Sequence, residues 1–129
     1  MCLIIDKKVR NNHHKENGYC VGYKVLKWDD MSPYRQRLYQ IGWENAQLGR
    51  EENLQEVLYG LHLFLNKKDA ITELEDWGKT FNRDEYKIIK VYYKPKDVID
   101  YGIFRIGGWI STKTVAVKKL LVKSLKDIR

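Results

Sequence analysis

Apolar and polar positions alternate along much of this chain, and the two-residue period of a β-strand is its commonest pattern. Between Tyr19 and Trp28, Val21, Tyr23 and Val25 fall on one face and Cys20, Lys24, Leu26 and Trp28 on the other. Tyr86–Lys94 is the cleanest case, with Ile88, Lys90 and Tyr92 opposite Ile89, Val91 and Tyr93; Pro95, which cannot donate to a ladder, ends it. Leu3–Asp6 and Tyr39–Trp43 predict two further strands, and Gly60–Leu65 is apolar enough for a buried one. Val98–Phe104 reads as a short strand or turn. Asn17-Gly18, closing the polar run Asn11–Gly18, predicts a hairpin because both residues tolerate positive φ, and Asp29–Pro33 breaks the strand that follows.

One segment changes period. Asn66 caps a helix with Asp69 at its third position, Ala70, Ile71, Leu74 and Trp77 form its apolar stripe, and Gly78 stops it. Residues 44–57 are polar and predict a long loop, and Gly107-Gly108 predicts another. Thr112–Leu125 fits two patterns: Val115 and Val117 alternate as in a strand, whereas Val117, Leu120, Leu121, Ser124, Leu125 and Ile128 also fit a helical stripe. A strand is expected for the first half, with strand and helix both open for the second. No repeat or linker divides the chain, so the pattern predicts one α+β domain over residues 1–129, mainly antiparallel β-sheet with one α-helix at about 67–77.

Composition narrows the class. With 129 residues, 43% hydrophobic and 12% aromatic, the chain is long and apolar enough to bury a core, which excludes intrinsic disorder. No apolar run approaches the ~20 residues of a membrane span, and Met1–Asp6 is too short for a signal peptide, so a soluble, cytoplasmic protein is expected. Two cysteines cannot make a disulfide framework. Cys2, His13, His14 and Cys20 are too widely spaced for a structural zinc site, so neither metal nor cofactor is expected. The net charge of +7 is uneven: +4 over residues 1–50, −5 over 51–85 and +8 over 86–129. An acidic helix beside basic strands argues against sequence-specific DNA binding, with non-specific or RNA binding a minor option.

The densest candidate chemistry is Ser32–Trp43. Arg35 and Arg37 supply planar forks for phosphate or carboxylate, and Tyr34, Tyr39 and Trp43 supply rings for stacking. The same residue types also make protein-binding hot spots and core packing. His62, flanked by apolar residues, reads as a core histidine or a catalyst. The run Arg105–Lys113, with Trp109, combines cation, glycine, aromatic and hydroxyls beside amides able to approach a phosphate. There is no Walker loop, GxGxxG or Gly-x-Ser-x-Gly, no closely spaced metal-ligand set, and no obvious carboxylate pair for glycoside chemistry.

The motifs Tyr23-Lys24-Val25-Leu26, Ser32-Pro33-Tyr34, Tyr39-Gln40-Ile41-Gly42, Gly60-Leu61-His62-Leu63-Phe64, Lys90-Val91 and Lys96-Asp97-Val98-Ile99 occur in an order that resembles a small uncharacterised domain of phages and large DNA viruses with a Gly-Ile-His-Phe-Phe signature. The pattern spans residues 19–125, with Leu63 in place of the signature's aromatic. It implies a viral or prophage accessory protein and carries no assigned chemistry. A weaker likeness is to the ADP-ribosyltransferase fold, whose catalytic Glu is expected around Ser111–Val115; Lys113 stands there and no Glu follows Glu85. That likeness implies a nucleotide-binding shell without the transferase carboxylate.

These readings lead to one expectation: a non-enzymatic, phage-encoded counter-defence protein that sequesters an anionic nucleotide-type signal molecule. Arg35, Arg37 and Lys113 would meet phosphate, Tyr34, Tyr39, Trp43 and Trp109 would stack bases, and His62 and Arg105 would complete the site. The alternatives are a protein–protein inhibitor of a host defence or replication enzyme, and an ADP-ribosyltransferase-like enzyme. A homo-oligomer with its site across a symmetric interface fits a domain of this size.

Overall fold

A computed structural model describes residues 3–5, 15–32, 38–46, 56–57, 60–77, 85–106 and 110–129. The elements are β1 (Leu3–Ile5), β2 (Lys15–Glu16), β3 (Tyr19–Lys27), β4 (Gly42–Asn45), β5 (Glu56–Val57), β6 (Leu61–Phe64), α1 (Lys67–Trp77), β7 (Tyr86–Tyr93), a 3-10 turn (Pro95–Asp97), β8 (Val98–Ile106), β9 (Ile110–Val117) and β10 (Lys119–Val122). The strands form one antiparallel sheet in the order β4-β10-β7-β3-β6-β9-β8-β1-β5, with β2 paired to β3. This is the predicted α+β architecture, with its helix at the expected residues.

Local chemistry explains the boundaries. The β2–β3 hairpin turns at Asn17 (φ 52°) and Gly18 (φ 81°), two left-handed residues as a two-residue hairpin loop requires. Asn66 opens α1: its carbonyl accepts from the Asp69 and Ala70 amides, while its side-chain amide donates to Asp69 Oδ2 at 3.3 Å. Asp69 Oδ2 also accepts the Lys113 amide at 2.9 Å, which ties the helix start to β9. Ala70 and Leu74 are buried and Ile71 partly so, as the stripe predicted.

Three expectations change, and one left open is settled. The strand expected at Tyr39–Trp43 starts instead at Gly42, and Tyr39 turns into the core, its amide donating to the Asp30 carbonyl. The loop expected over 44–57 yields part of β4 and all of β5. Val98–Phe104 belongs to a nine-residue strand, β8, with an irregularity between Val98 and Asp100. The second half of Thr112–Leu125 holds a strand, β10, and no helix. Gly78, Gly107-Gly108, residues 47–55 and the side chain of Trp77 lie outside the described residues, as do Cys2, His13 and His14.

The sheet has two differently covered faces. Val25, Phe64, Tyr86 and Ile88 pack under Ala70 and Leu74 of α1 on the outer face. On the inner face, Cys20, Leu26, Leu61, Leu63, Ile89, Val91, Tyr93, Val115, Val117, Leu120 and Val122 form the main core. Tyr93 on β7 and Tyr101 on β8 share a hydrogen bond there. Those strands are four places apart in the sheet, about 19 Å if it were flat at the usual strand spacing. Their hydroxyls meet only because the sheet curls around this core, as the right-handed twist of a long antiparallel sheet favours.

The segment after β10 straps along β7. Ile128 donates its amide to the Ile88 carbonyl at 2.9 Å, and the Ile88 amide donates to Asp127 Oδ1 at 3.1 Å. The Lys87 ammonium donates to the Leu125 carbonyl at 2.7 Å and pairs with Asp30. Burial pushes the Asp127 carboxyl up, but the Ile88 and Arg129 amides and the Arg129 guanidinium outweigh it and hold the group below its ordinary range. A carboxyl depressed by folding stabilises above its unfolded value, near 3.9, and that stabilisation disappears as pH falls through the folded value. Asp127→Asn keeps the Ile88 acceptor and removes the charge, so its stability deficit at pH 7 is expected to shrink on acidification below about pH 4. Urea unfolding of both proteins at a series of pH values checks this; a deficit independent of pH would contradict it.

Candidate functional site

The outer face of β4, β10, β7 and β3 is free of the helix at one end and carries rings. Register sets Trp43 beside Leu121, Leu121 beside Tyr92 and Tyr92 beside Val21, one row across four strands. Tyr19, at the start of β3, joins them: its ring lies 6.3 Å from Trp43, tilted by 52°, and 6.3 Å from Tyr92 at 72°, edge to face. Trp43 is 42% exposed and Tyr92 is 9% exposed.

The same alternation that points these rings outward points lysines outward beside them. Lys119 stands 5.0 Å from the Trp43 ring centre, Lys94 stands 5.7 Å from both Trp43 and Tyr19, and Lys123 stands 5.6 Å from Tyr19 and 4.5 Å from Tyr92. Lys90 lies 5.8 Å from Tyr92 but is paired with Glu16, which also accepts the Tyr92 hydroxyl at 3.3 Å. The Glu16 hydrogen bond raises Lys90 above its ordinary value and keeps it charged. The ion pairs among the described residues are Lys87–Asp30, Lys90–Glu16 and Arg129–Asp127, so Lys94, Lys119 and Lys123 have no carboxylate partner there. A cation over an exposed ring gains about 0.5–1 kcal/mol, so the lysines over Trp43 are held weakly enough to be exchanged for a better partner.

Of the residues singled out from sequence whose side chains are described, Trp43 alone belongs to this face. Tyr39 is buried in the main core, with the Lys24 ammonium 5.7 Å from its ring centre, so it offers no ring to a ligand. His62 is buried in β6, its carbonyl accepting from Lys24 Nζ at 2.9 Å. Lys113 is exposed on β9, where it shares the facing of the core residues Val115 and Val117, opposite in sense to Trp43 and five strands away from it. Tyr34, Arg35, Arg37 and Trp109 lie outside the described residues, as does the side chain of Arg105, whose backbone is in β8. Tyr39, Trp43, His62 and Lys113 therefore do not converge on one hollow.

Sequence reasoning missed Tyr19, Tyr92, Lys94, Lys119 and Lys123. The signal was the period-two spacing of Lys90, Tyr92 and Lys94 and of Lys119, Leu121 and Lys123, which puts each trio on one strand face. The Cys20 thiol is pushed up by burial, which outweighs the opposing effect of Lys15, as fits a packing role. The chain matches no family model, no curated protein and no solved structure. Among the described residues, no helix is long and apolar enough to cross a membrane.

Proposed function

We propose that the protein is a non-enzymatic binder of an anionic nucleotide-type ligand, held on the outer face of β4, β10, β7 and β3. The observation that carries this reading is the cluster of Tyr19, Trp43 and Tyr92 under Lys94, Lys119 and Lys123, π-faces and charge in contact on one surface. Stacking and phosphate neutralisation are the two interactions a nucleotide needs. Sequestration requires affinity without turnover, and a surface of lysines and rings supplies that. The motif order around Gly60–Phe64, which resembles a domain of phages and large DNA viruses, supports a phage-encoded protein, and counter-defence in the host cytoplasm is the role we propose for it.

A thermal-shift screen with cyclic di- and trinucleotides, ADP-ribose derivatives and short oligonucleotides tests the reading. A ligand at 100 times its Kd stabilises the fold by about 2.7 kcal/mol, and no shift with any of them at millimolar concentration would overturn it. Trp43→Ala is expected to weaken binding by about 1–3 kcal/mol while changing unfolding stability by about 0.5 kcal/mol or less, read by titration and urea melts.

A second reading, inhibition of a host enzyme by direct contact, is favoured by Trp28, Leu38 and Ile41, which are 51%, 50% and 69% exposed. A stoichiometric protein partner captured from nuclease-treated lysate, lost on Ile41→Asp and kept on Trp43→Ala, would support it.

A further inference from the structure

Resting on that reading, we infer that the ligand is a single-stranded nucleic acid lying across the sheet over about three nucleotides, rather than a free nucleotide. The geometry points to a polymer because cations and rings alternate: Lys119, Trp43, Lys94, Tyr19, Lys123, Tyr92, with each inner lysine within 5.7 Å of the rings on both sides of it. A strand of nucleic acid has the same alternation, one phosphate between successive bases. The Tyr19 ring is tilted by 52° from Trp43 and by 72° from Tyr92, so a flat base stacked on Tyr19 stacks on neither of the others. Using all three rings takes more than one base.

The ends of the series also differ. Lys90, beyond Tyr92, is neutralised by Glu16, whereas Lys119, beside Trp43, has no carboxylate partner among the described residues. The charged track therefore ends at Tyr92 and stays open at Trp43, on β4 at the end of the sheet order. Duplex is disfavoured because its bases are stacked on one another and turned inward, leaving these rings nothing to receive. In the unbound protein the lysines rest over the rings; on binding, each swings to a phosphate and uncovers a π-face for a base.

Fluorescence anisotropy with labelled ten-nucleotide oligo-dT and oligo-rU, competed by AMP, a cyclic dinucleotide, duplex DNA and poly-glutamate, tests the inference. Three phosphate contacts predict a log Kd against log salt slope of about 2, hence about 20-fold weaker binding at 200 mM than at 50 mM salt. Lys119→Gln is expected to lower that slope by about 0.7, and Tyr19→Ala to weaken binding about 5- to 150-fold with the slope unchanged. Circular dichroism confirms that both variants fold, and Lys119→Arg is expected to retain the slope. The dT and rU arms distinguish DNA from RNA as the source of the strand. If AMP or the cyclic dinucleotide binds as tightly as the oligomers, the inference fails while the nucleotide-binding reading stands. If duplex or poly-glutamate binds as well as single strands, the inference also fails. If no nucleotide and no oligomer binds, both fall.

Discussion

Tyr93→Ala is expected to destabilise the fold by about 3–5 kcal/mol, the range for removing a large aromatic side chain from a packed core. Tyr93 is fully buried on β7, and its hydroxyl is bonded to Tyr101 on β8. The substitution opens a cavity between two walls of the curled sheet and removes the contact that joins them. Tyr93→Phe keeps the ring and loses only the hydrogen bond, with an expected cost of about 1 kcal/mol, so urea unfolding of the pair separates packing from bonding. Alkaline titration gives a second readout. Burial raises the Tyr93 hydroxyl far above its ordinary value, and burial, with Cys20 adding to it, pushes Tyr101 up to about 12. A group raised by folding contributes stability below its unfolded value, near 10, and loses it as pH climbs through the folded value. Stability is therefore expected to fall above about pH 10, less steeply in Tyr93→Phe, which has one buried phenol fewer. Equal slopes for the two proteins would contradict this account.

Gly60→Ala is expected to cost about 3 kcal/mol, the sum of backbone strain and overpacking. Gly60 precedes β6 with φ at 92°, a conformation L-residues rarely adopt. An added Cβ would stand 2.5 Å from Ile99 Cδ1 and 3.1 Å from the Val117 carbonyl oxygen. The Ile99 tip can yield, but the Val117 backbone is held in the β6–β9 ladder. Gly18→Ala is the control: φ is 81° there and nothing lies within 4 Å, so only the conformational cost of about 1 kcal/mol is expected. Adding Ile99→Ala to Gly60→Ala is expected to recover part of the steric cost, a coupling that a double-mutant cycle of urea midpoints measures. Strict additivity would place the whole effect in the backbone.

What the sequence showed of this fold depended on whether alternation ran unbroken. In β3 and β7 it does, and both were legible within a residue of their ends. Asn66 and Asp69 marked the helix start by local chemistry alone. β8 was hidden by its irregularity: Val98 packs on the main core and so do Tyr101 and Ile103, a change of parity that breaks the pattern in mid-strand. A similar shift across Lys118, from Val115 and Val117 to Leu120 and Val122, imitated a helical stripe. The candidate site was harder. Local density drew attention to Ser32–Trp43, yet of its described rings Tyr39 is drawn inside and Trp43 alone reaches the open face. Its companions Tyr19 and Tyr92 come from distant strands, and only sheet register brings them together.

The strand order has a consequence for how the chain reaches this state. Apart from the short β2 hairpin, the principal partner of β3 is β7, and Lys27 and Tyr86 stand 59 positions apart. β1 meets β8 through Ile4 and Ile103, 99 positions apart. Such distant pairings make for slow folding, in the range of milliseconds to seconds, during which apolar strands wait unpartnered and prone to self-association. Lys90, Lys94, Lys119 and Lys123 are spaced along β7 and β10 and just beyond them. The charges that line the finished surface thus serve earlier as gatekeepers, keeping nascent copies apart until each has closed its own sheet.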